Sequence, residues 1–296
     1  MSVAPLSLRQ GAAFRVFAQT NAVLLACDNL SPLGVLGNSG NPRNDGLAIG
    51  RLRHLCRLLL RDRAPHAPVQ GIVLFVPFAS LSSEHETRNA VDACQAGLQN
   101  IRRSIGVDVP IHVTISGVDA APVGQSGTAS SLWRMGFPPL PDLDPAEMVN
   151  MIPQGVAALC REQLSQPAYA SFRLDGESAG ALDDNIRLYR WQSAIHTWRP
   201  RLERLLVEGT QNDQGEPGLL AGCYLLPASG NDAPADEFVK ALRADLLSHG
   251  LTLTWTAATV ARATKEQRLA CAGFALVLAV LTVLAVWIFH GVTWQT

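Results

Sequence analysis

Two glycine-rich segments have the composition of phosphate-binding loops. They are Gly34–Gly40 and Gly124–Thr128. Glycine lets backbone N–H groups wrap a phosphate, but such a loop also needs a Gly-Lys-Ser/Thr sequence, whose lysine neutralises the phosphate charge. The sequence contains no Gly-Lys pair. We therefore predict ordinary loops at both places and no nucleotide or other cofactor.

Patterns for metal binding and nucleophilic catalysis are also missing from the sequence. The six cysteines are widely scattered without a Cys-x-x-Cys pair, and the seven histidines show no His-x-x-x-His spacing. Neither glycine-rich segment is the Gly-x-Ser-x-Gly turn of a serine hydrolase. The sequence therefore predicts no catalytic residue and no metal site, and it predicts reduced thiols packed as small apolar side chains.

One basic pattern is a candidate for binding. Arg53, Arg57 and Arg61 recur at i, i+4 and i+8 of a predicted helix whose apolar residues form another face. A solvated helix face is the common meaning of such a stripe. The alternative is a docking surface, because three aligned guanidinium groups suit the carboxylates of an acidic partner or anionic lipid headgroups. These arginines are our candidate partner-docking residues.

The charge balance argues against a nucleic-acid partner. Lys and Arg number 24 against 25 for Asp and Glu, a net charge of −1, whereas a dedicated nucleic-acid binder normally carries a basic surplus. Tyr189, Trp191 and Trp198 are interleaved with arginines and have the composition of a stacking surface for single strands. The seven-residue spacing of the two tryptophans favours a core position instead.

The apolar pattern of the first 119 residues predicts alternating strands and helices. The predicted order is strand Ala22–Cys27, loop Asn29–Asp45, helix Ile49–Arg63, strand Gly71–Phe78, a helix opened by a capping box at Ser83–Glu86, and strand Ile111–Ser116. Three strands joined by two helices are typical of a parallel sheet with crossover helices.

The middle of the chain is predicted to be mainly helical. Residues 120–145 have an irregular composition, and a helix follows to Leu164 with a kink or break at Pro153 and Gly155. The later predicted elements are helix Asp183–Val207 with a kink at Pro200, strand Leu219–Pro227 and helix Phe238–Ser248.

The last 28 residues contain no Asp, Glu, Lys or Arg. Within them, Leu269–Phe289 is long enough as a helix to cross the ~30 Å hydrocarbon core of a membrane. A helix buried in a protein core is the alternative. Arg262, Lys265 and Arg268 precede the run, so the positive-inside rule predicts a cytoplasmic N-terminal body. Met1–Gln19 has no long apolar run, and we predict no signal peptide.

The order of these segments resembles the IcmF/TssM family, the inner-membrane scaffold proteins of type VI secretion. Gly71–Leu81, the capped helix and Val109–Asp119 are similar to part of that family's GTPase-like cytoplasmic domain. Leu220–Leu226 is similar to the strand that precedes the family's third membrane helix, and the apolar run lies where that helix would be. The likeness extends from about Phe14 to Phe289.

The resemblance implies a degenerate nucleotide site. The family's P-loop would lie before Met1, and its Asp-Thr-Ala-Gly segment corresponds to Ala26–Asn29. Its Thr-Lys-x-Asp motif corresponds to Ser116–Asp119, where the lysine is absent. Asp119 is the one vestigial candidate for contact with a guanine edge.

We therefore predict an α/β chain: a partial P-loop-GTPase-like parallel sheet with crossover helices, then a helical region and one C-terminal transmembrane helix. The predicted boundaries are 1–125 for the degenerate GTPase-like domain, 126–215 for the helical region, 216–256 for a strand–helix segment packing on the body, 257–268 for a basic juxtamembrane linker, 269–289 for the transmembrane helix and 290–296 for a short periplasmic tail.

The resemblance implies a non-enzymatic scaffold or adaptor in the bacterial inner membrane, with its N-terminal body in the cytoplasm and its C-terminus in the periplasm. The implied partners are other type VI secretion membrane-complex or baseplate proteins and membrane lipid, and not nucleic acid. Two alternatives stay open. One is a GTPase subunit whose P-loop comes from a separate polypeptide, and the other is a truncated fragment without function.

Overall fold

The computed structural model describes residues 15–19, 22–27, 42–63, 67–118, 133–137, 145–170, 172, 179–212, 215–216, 218–227, 233–249 and 254–293. The chain divides into two units, Met1–Leu253 and Thr254–Thr296. The first unit is a mixed α/β body rich in helix, and most of the second is one helix.

The described elements follow each other in this order: β1 Arg15–Gln19, β2 Ala22–Ala26, α1 Pro42–Arg63, β3 Ile72–Pro77, a 3₁₀ turn Phe78–Leu81, α2 Glu84–Ile105, β4 Val107–Asp108, β5 Ile111–Val118, β6 Trp133–Gly136, α3 Pro145–Ala158, a π-helical segment Leu159–Ser165, α4 Gln166–Ala170, α5 Ala179–Gly209, β7 Leu220–Pro227, α6 Ala233–His249, β8 Thr254–Trp255 and α7 Ala257–Thr293.

A four-stranded sheet with the order β3-β5-β7-β6 forms the centre of the body. Strand β5 runs parallel to both β3 and β7, which confirms a parallel arrangement with helices between consecutive strands. Strand β6 pairs antiparallel with β7 at one edge. It lies in the stretch predicted to be irregular, because four residues are too few to show a strand periodicity.

The prediction that Ala22–Cys27 opens the parallel sheet is wrong. Strand β2 pairs antiparallel with β1, from Arg15 opposite Ala26 to Gln19 opposite Ala22. Only two residues lie between these strands, so β1 and β2 form a local hairpin. The backbone of β2 therefore bonds to β1 and not to the parallel sheet.

Several predicted helix limits also change. Helix α1 begins at Pro42, inside the predicted loop, with proline at the first helical position, where no N–H is required. Helices α3 and α5 continue through Pro153 and Pro200. The irregularity after Pro153 is instead the π-helical segment that begins at Leu159.

The N-cap that the predicted capping box places at Ser83, at the start of α2, is confirmed. Ser83 adopts an extended backbone conformation, and its Oγ accepts a hydrogen bond from the backbone N–H of Glu86 at 3.2 Å. At the other end, Gly106 takes a left-handed conformation with φ of 70°. Serine satisfies the free N–H groups of the first turn, and glycine reverses the chain without strain.

The two faces of the sheet are covered differently. One face packs on α2, α3 and α5 in the main core, which includes Val76, Ile115 and Cys223. The other face carries Tyr224, which packs with Phe238 and Leu242 of α6. Strand β5 is buried on both sides from Ile111 to Ile115, and its apolar residues Ile111, Val113 and Ile115 alternate there with buried His112 and Thr114.

The predicted segments of the body share this one core. Residues 1–125 supply β3 and β5, residues 126–215 supply β6, and residues 216–256 supply β7 between them. Residues 257–268, predicted to be a linker, are helical and belong to α7.

A buried arginine joins the ends of two helices in the body. The side chain of Arg102 on α2 is only 8% exposed, and its Nε lies 3.1 Å from Asp108 Oδ1. The same guanidinium donates to the carbonyl oxygen of Gln211 at 2.8 Å and to that of Thr210 at 3.1 Å, just beyond α5. One charged group therefore satisfies three acceptors that the fold brings together.

Gly218 lies against this arrangement, and we expect Gly218→Ala to destabilise the body. A Cβ there would collide with the backbone oxygen of Thr210 and with the Arg102 guanidinium. A backbone oxygen cannot shift alone, so the free energy of unfolding should fall by about 1–3 kcal/mol. Urea unfolding of the detergent-solubilised chain, followed by circular dichroism, measures this.

Gly50→Ala is the matched control. Gly50 is exposed on α1, and no described atom lies within 4 Å of an added Cβ. The substitution should raise the free energy of unfolding by about 0.5–1 kcal/mol, because alanine favours a helix. A wild-type unfolding midpoint for Gly218→Ala would contradict the close approach.

Candidate functional site

The three candidate docking arginines lie exposed on α1, but they are not equivalent. Arg53 donates from Nε and Nη2 to Asn100 Oδ1 of α2, at 2.9 and 2.6 Å. Arg61 donates to Asp62 Oδ1 at 2.7 Å. Arg57 has no polar partner in the part of the chain that the structure describes. The three guanidinium groups were expected to be free. Instead, Arg53 and Arg61 form hydrogen bonds to other side chains, and Arg57 between them does not do so within the described residues.

The Arg61–Asp62 pair has a visible electrostatic effect at the surface. The hydrogen bond between the two side chains, together with their opposite charges, raises the pKa of Arg61 and lowers the pKa of Asp62. The pair is fully solvated, and exposed pairs contribute little to stability. Arg61 therefore stays charged and is only loosely held.

The opposite side of α1 anchors the helix. Leu52 and Cys56 pack in a small core with Ile105, Val107 and Val109. This confirms the predicted apolar face of the helix and explains why the arginines point to solvent. Helix α1 packs on α2, which also supplies the Asn100 side chain.

The buried cysteines behave as apolar side chains, as predicted. Burial raises the pKa of the Cys56 thiol to about 11 and the pKa values of Cys94, Cys160 and Cys223 to about 12. A thiol with so high a pKa is a poor nucleophile at neutral pH. Cys271 differs because it is exposed on α7.

The predicted guanine-edge residue, Asp119, lies outside the described residues, as do the segments Gly34–Gly40 and Gly124–Thr128. Strand β5 ends at Val118, one residue before Asp119. Within the ranges that the structure describes, no three His, Cys, Asp or Glu side chains come together as a metal site.

A polar cluster between the sheet and α6 was not predicted from the sequence. The Tyr224 hydroxyl on β7 donates to Asp245 Oδ2 of α6 at 2.5 Å. Arg134 Nη1 on β6 lies 3.8 Å from the same carboxylate oxygen. His112 Nδ1 on β5 lies 3.5 Å from the Tyr224 hydroxyl. No spacing in the sequence links these residues, because three strands and a helix contribute them.

The Tyr224 hydroxyl has a structural role in this cluster. Burial raises the pKa of Tyr224 well above its ordinary value, and the hydrogen bond from Tyr224 to Asp245 raises it further. The phenol therefore keeps its proton and acts as a donor rather than as a base or nucleophile. Its hydrogen bond ties α6 to the middle of the sheet.

Helix α7 contains a segment suited to a membrane. Thr259–Leu284, 26 residues, is long and apolar enough to cross a bilayer, and none of it is buried. This exposure contradicts the alternative of a core helix. Within the segment, the Thr282 hydroxyl donates to the Ala279 carbonyl at 2.8 Å, so its polar side chain is satisfied inside the helix.

The comparisons with known proteins bear on the first part of the body. Residues 49–126 match the family model of the IcmF-related N-terminal domain. The match supports an IcmF-related family. Comparisons with curated proteins and with solved structures gave no match.

The IcmF-related match contains most of the candidate residues. Arg53, Arg57, Arg61 and Asp119 all fall within residues 49–126. Strands β3 and β5 and the whole of α2 lie in the same range. The polar cluster around Tyr224 and the apolar helix α7 lie outside it.

We expect Tyr224→Phe to lower the free energy of unfolding by about 1.5–3 kcal/mol, because Asp245 loses the hydrogen bond from the Tyr224 hydroxyl. The matched control is Tyr169→Phe, whose side chain is 61% exposed and should tolerate the change. Urea unfolding of the full chain in detergent compares the two. Equal stability of both variants would contradict a structural role for the Tyr224 hydroxyl.

The difference in stability between the wild type and Tyr224→Phe should also depend on pH. A phenol whose pKa is raised in the folded state contributes stability that is present below its unfolded pKa of about 10 and is lost as the pH rises above it. The wild type should therefore lose more stability than Tyr224→Phe between about pH 9 and pH 11.

Proposed function

We propose that this chain is a non-enzymatic, membrane-anchored scaffold or adaptor in the assembly of the type VI secretion membrane complex. The match of residues 49–126 to the IcmF-related N-terminal domain carries the proposal. The exposed segment Thr259–Leu284, which is uncharged from Leu269 onward, supports it, because a scaffold of this kind needs an integral anchor.

The proposal extends to the type of body. Parallel strands β3, β5 and β7 with intervening helices agree with a degenerate P-loop-GTPase-like domain. The sequence has Ser116-Gly117-Val118-Asp119 where an active site of this kind would have Thr-Lys-x-Asp, and it holds no Gly-Lys pair. We propose that the body binds proteins rather than nucleotide.

The proposed location is the bacterial inner membrane, with the body in the cytoplasm and the C-terminus in the periplasm. Three basic residues, Arg262, Lys265 and Arg268, lie on α7 before the uncharged run, and only Glu266 opposes them. Glu266 is held by Arg262 at 2.9 Å, which leaves a net positive flank. Positive flanks stay on the cytoplasmic side and attract anionic lipid.

The proposed docking surface is α1, with Arg57 at its centre and Arg53 and Arg61 beside it. Among the described residues, Arg53 and Arg61 each have a side-chain hydrogen bond that would be broken before they bind a carboxylate, and Arg57 has none. A type VI membrane-complex or baseplate protein with an acidic patch fits this surface.

Membrane anchorage is tested by extraction. Membranes that contain the full chain are washed with high salt and at high pH, and we expect the protein to stay until detergent dissolves the bilayer. An apolar helix is held by the hydrophobic effect, which neither wash removes. A chain that ends at Arg268 should be released. Release of the full chain by the washes, or retention of the shortened one, would contradict the anchor.

The scaffold role is tested by co-purification from detergent-solubilised cells that carry a type VI secretion system. We expect named type VI membrane-complex or baseplate proteins with the wild type. Replacing Arg57 and Arg61 with Glu should reduce their yield several-fold through like-charge repulsion. Arg53 is left intact because its bond to Asn100 helps to hold α1 on α2.

Arg88→Glu with Arg243→Glu is the matched control, because both arginines are exposed on other helices and the change in charge is the same. The control should retain its partners. An absence of type VI components from the wild-type sample would contradict the scaffold proposal. An unchanged yield for the α1 variant would show that the arginine face of α1 is a solvated surface and not the docking surface.

A further inference from the structure

The N-terminal half of α5 exposes an apolar stripe on the side that faces away from the core. Leu182, Ile186 and Tyr189 recur at i, i+4 and i+7 and are 66%, 39% and 67% exposed. The buried residues of the same helix, which include Leu188, Ile195 and Leu202, lie on the opposite side. The stripe is therefore not part of the core that the described residues form.

The spacing of this stripe is that of a helix-pairing seam. Steps of four and three residues place Leu182, Ile186 and Tyr189 in one line along the helix. Exposed Ser193 and His196 continue the line with the same spacing. Two such helices can bury the apolar part of the line against each other.

The charges beside the stripe indicate which partner fits. Asp183 and Arg190 lie on the same side of it, seven residues or about two turns apart. Neither forms an ion pair within the described part of the chain. A lipid surface or a nucleic acid would favour Arg190 and repel Asp183. A second α5 in the antiparallel direction places Asp183 of each copy beside Arg190 of the other.

We propose that two copies of this chain associate through antiparallel pairing of α5 along the stripe Leu182, Ile186 and Tyr189. The two-fold symmetry of such a pair forms the Asp183–Arg190 contact twice. A parallel pair would leave the opposite charges about 10 Å apart along the axis. The proposal does not depend on type VI secretion, because it rests on the charges and exposure of α5 alone.

We expect this pairing between copies that are anchored in the same membrane. A seam of just over two turns is smaller than the interfaces that hold dimers together in dilute solution. Confinement of both copies to one membrane raises their effective concentration. The experiment therefore uses the full chain in its own membranes.

Cross-linking tests the contact directly. Cys27 and Cys271, the two cysteines that are not buried, are replaced with Ser, and Ile186→Cys is added. A short bismaleimide cross-linker should then yield a covalent dimer on a denaturing gel. Asp92→Cys, exposed on α2, replaces Ile186→Cys in the control and should yield several-fold less. Equal yields from the two positions would overturn the proposal.

Charge reversal tests the direction of pairing. Asp183→Arg makes the flank wholly basic and Arg190→Asp makes it wholly acidic, so each variant carrying Ile186→Cys should lose its cross-linked dimer several-fold. Co-production of the two variants should restore the dimer, since each copy then meets opposite charges. Asp92→Arg should change nothing. Dimer retained in the single variants, or not restored in the mixture, would overturn the antiparallel pair.

Discussion

The body depends on one buried charge. Arg102 is almost fully enclosed, yet it holds Asp108 and the carbonyl oxygens of Thr210 and Gln211. Removing one partner of a buried pair typically costs about 3–5 kcal/mol, because the remaining charge is left without compensation. The guanidinium joins the ends of α2 and α5, and it lies against Gly218, two residues before β7 begins. Gly218 is the residue that leaves room for it.

The position of β7 shapes the rest of the body. It lies between β5 and β6 and offers a side chain to each face of the sheet. Cys223 packs into the main core, and Tyr224 holds α6 through Asp245. Buried Arg102 and Tyr224 thus hold parts of the body together, and two features of the described surface are suited to contact with other proteins. These are the arginines of α1 and the apolar stripe of α5. This division agrees with the scaffold role that we propose.

Local patterns predicted much of the secondary structure. The continuous apolar run at Gly71–Phe78 became β3, and Ser83 capped the start of α2 as expected. The predictions failed where the neighbours of a segment decide its state. Strand β2 found its partner in a hairpin, β6 was too short to show a period, and α3 accommodated Pro153 within a packed helix. In the candidate site, the stripe of arginines was visible in the sequence, but the bond from Arg53 to Asn100 was not.

The sequence by itself determined the longer helices, strands β3, β5 and β7, and where an apolar span long enough for a membrane lies. These properties follow from periodicity and composition over tens of residues. Only the tertiary structure decided the strand order, the burial of Arg102 and which surface groups stay unengaged. Those outcomes depend on contacts between distant parts of the chain, such as the contact of Arg102 with Thr210, 108 residues away. No local pattern encodes a contact of that range, because its energy exists only after the intervening elements have packed.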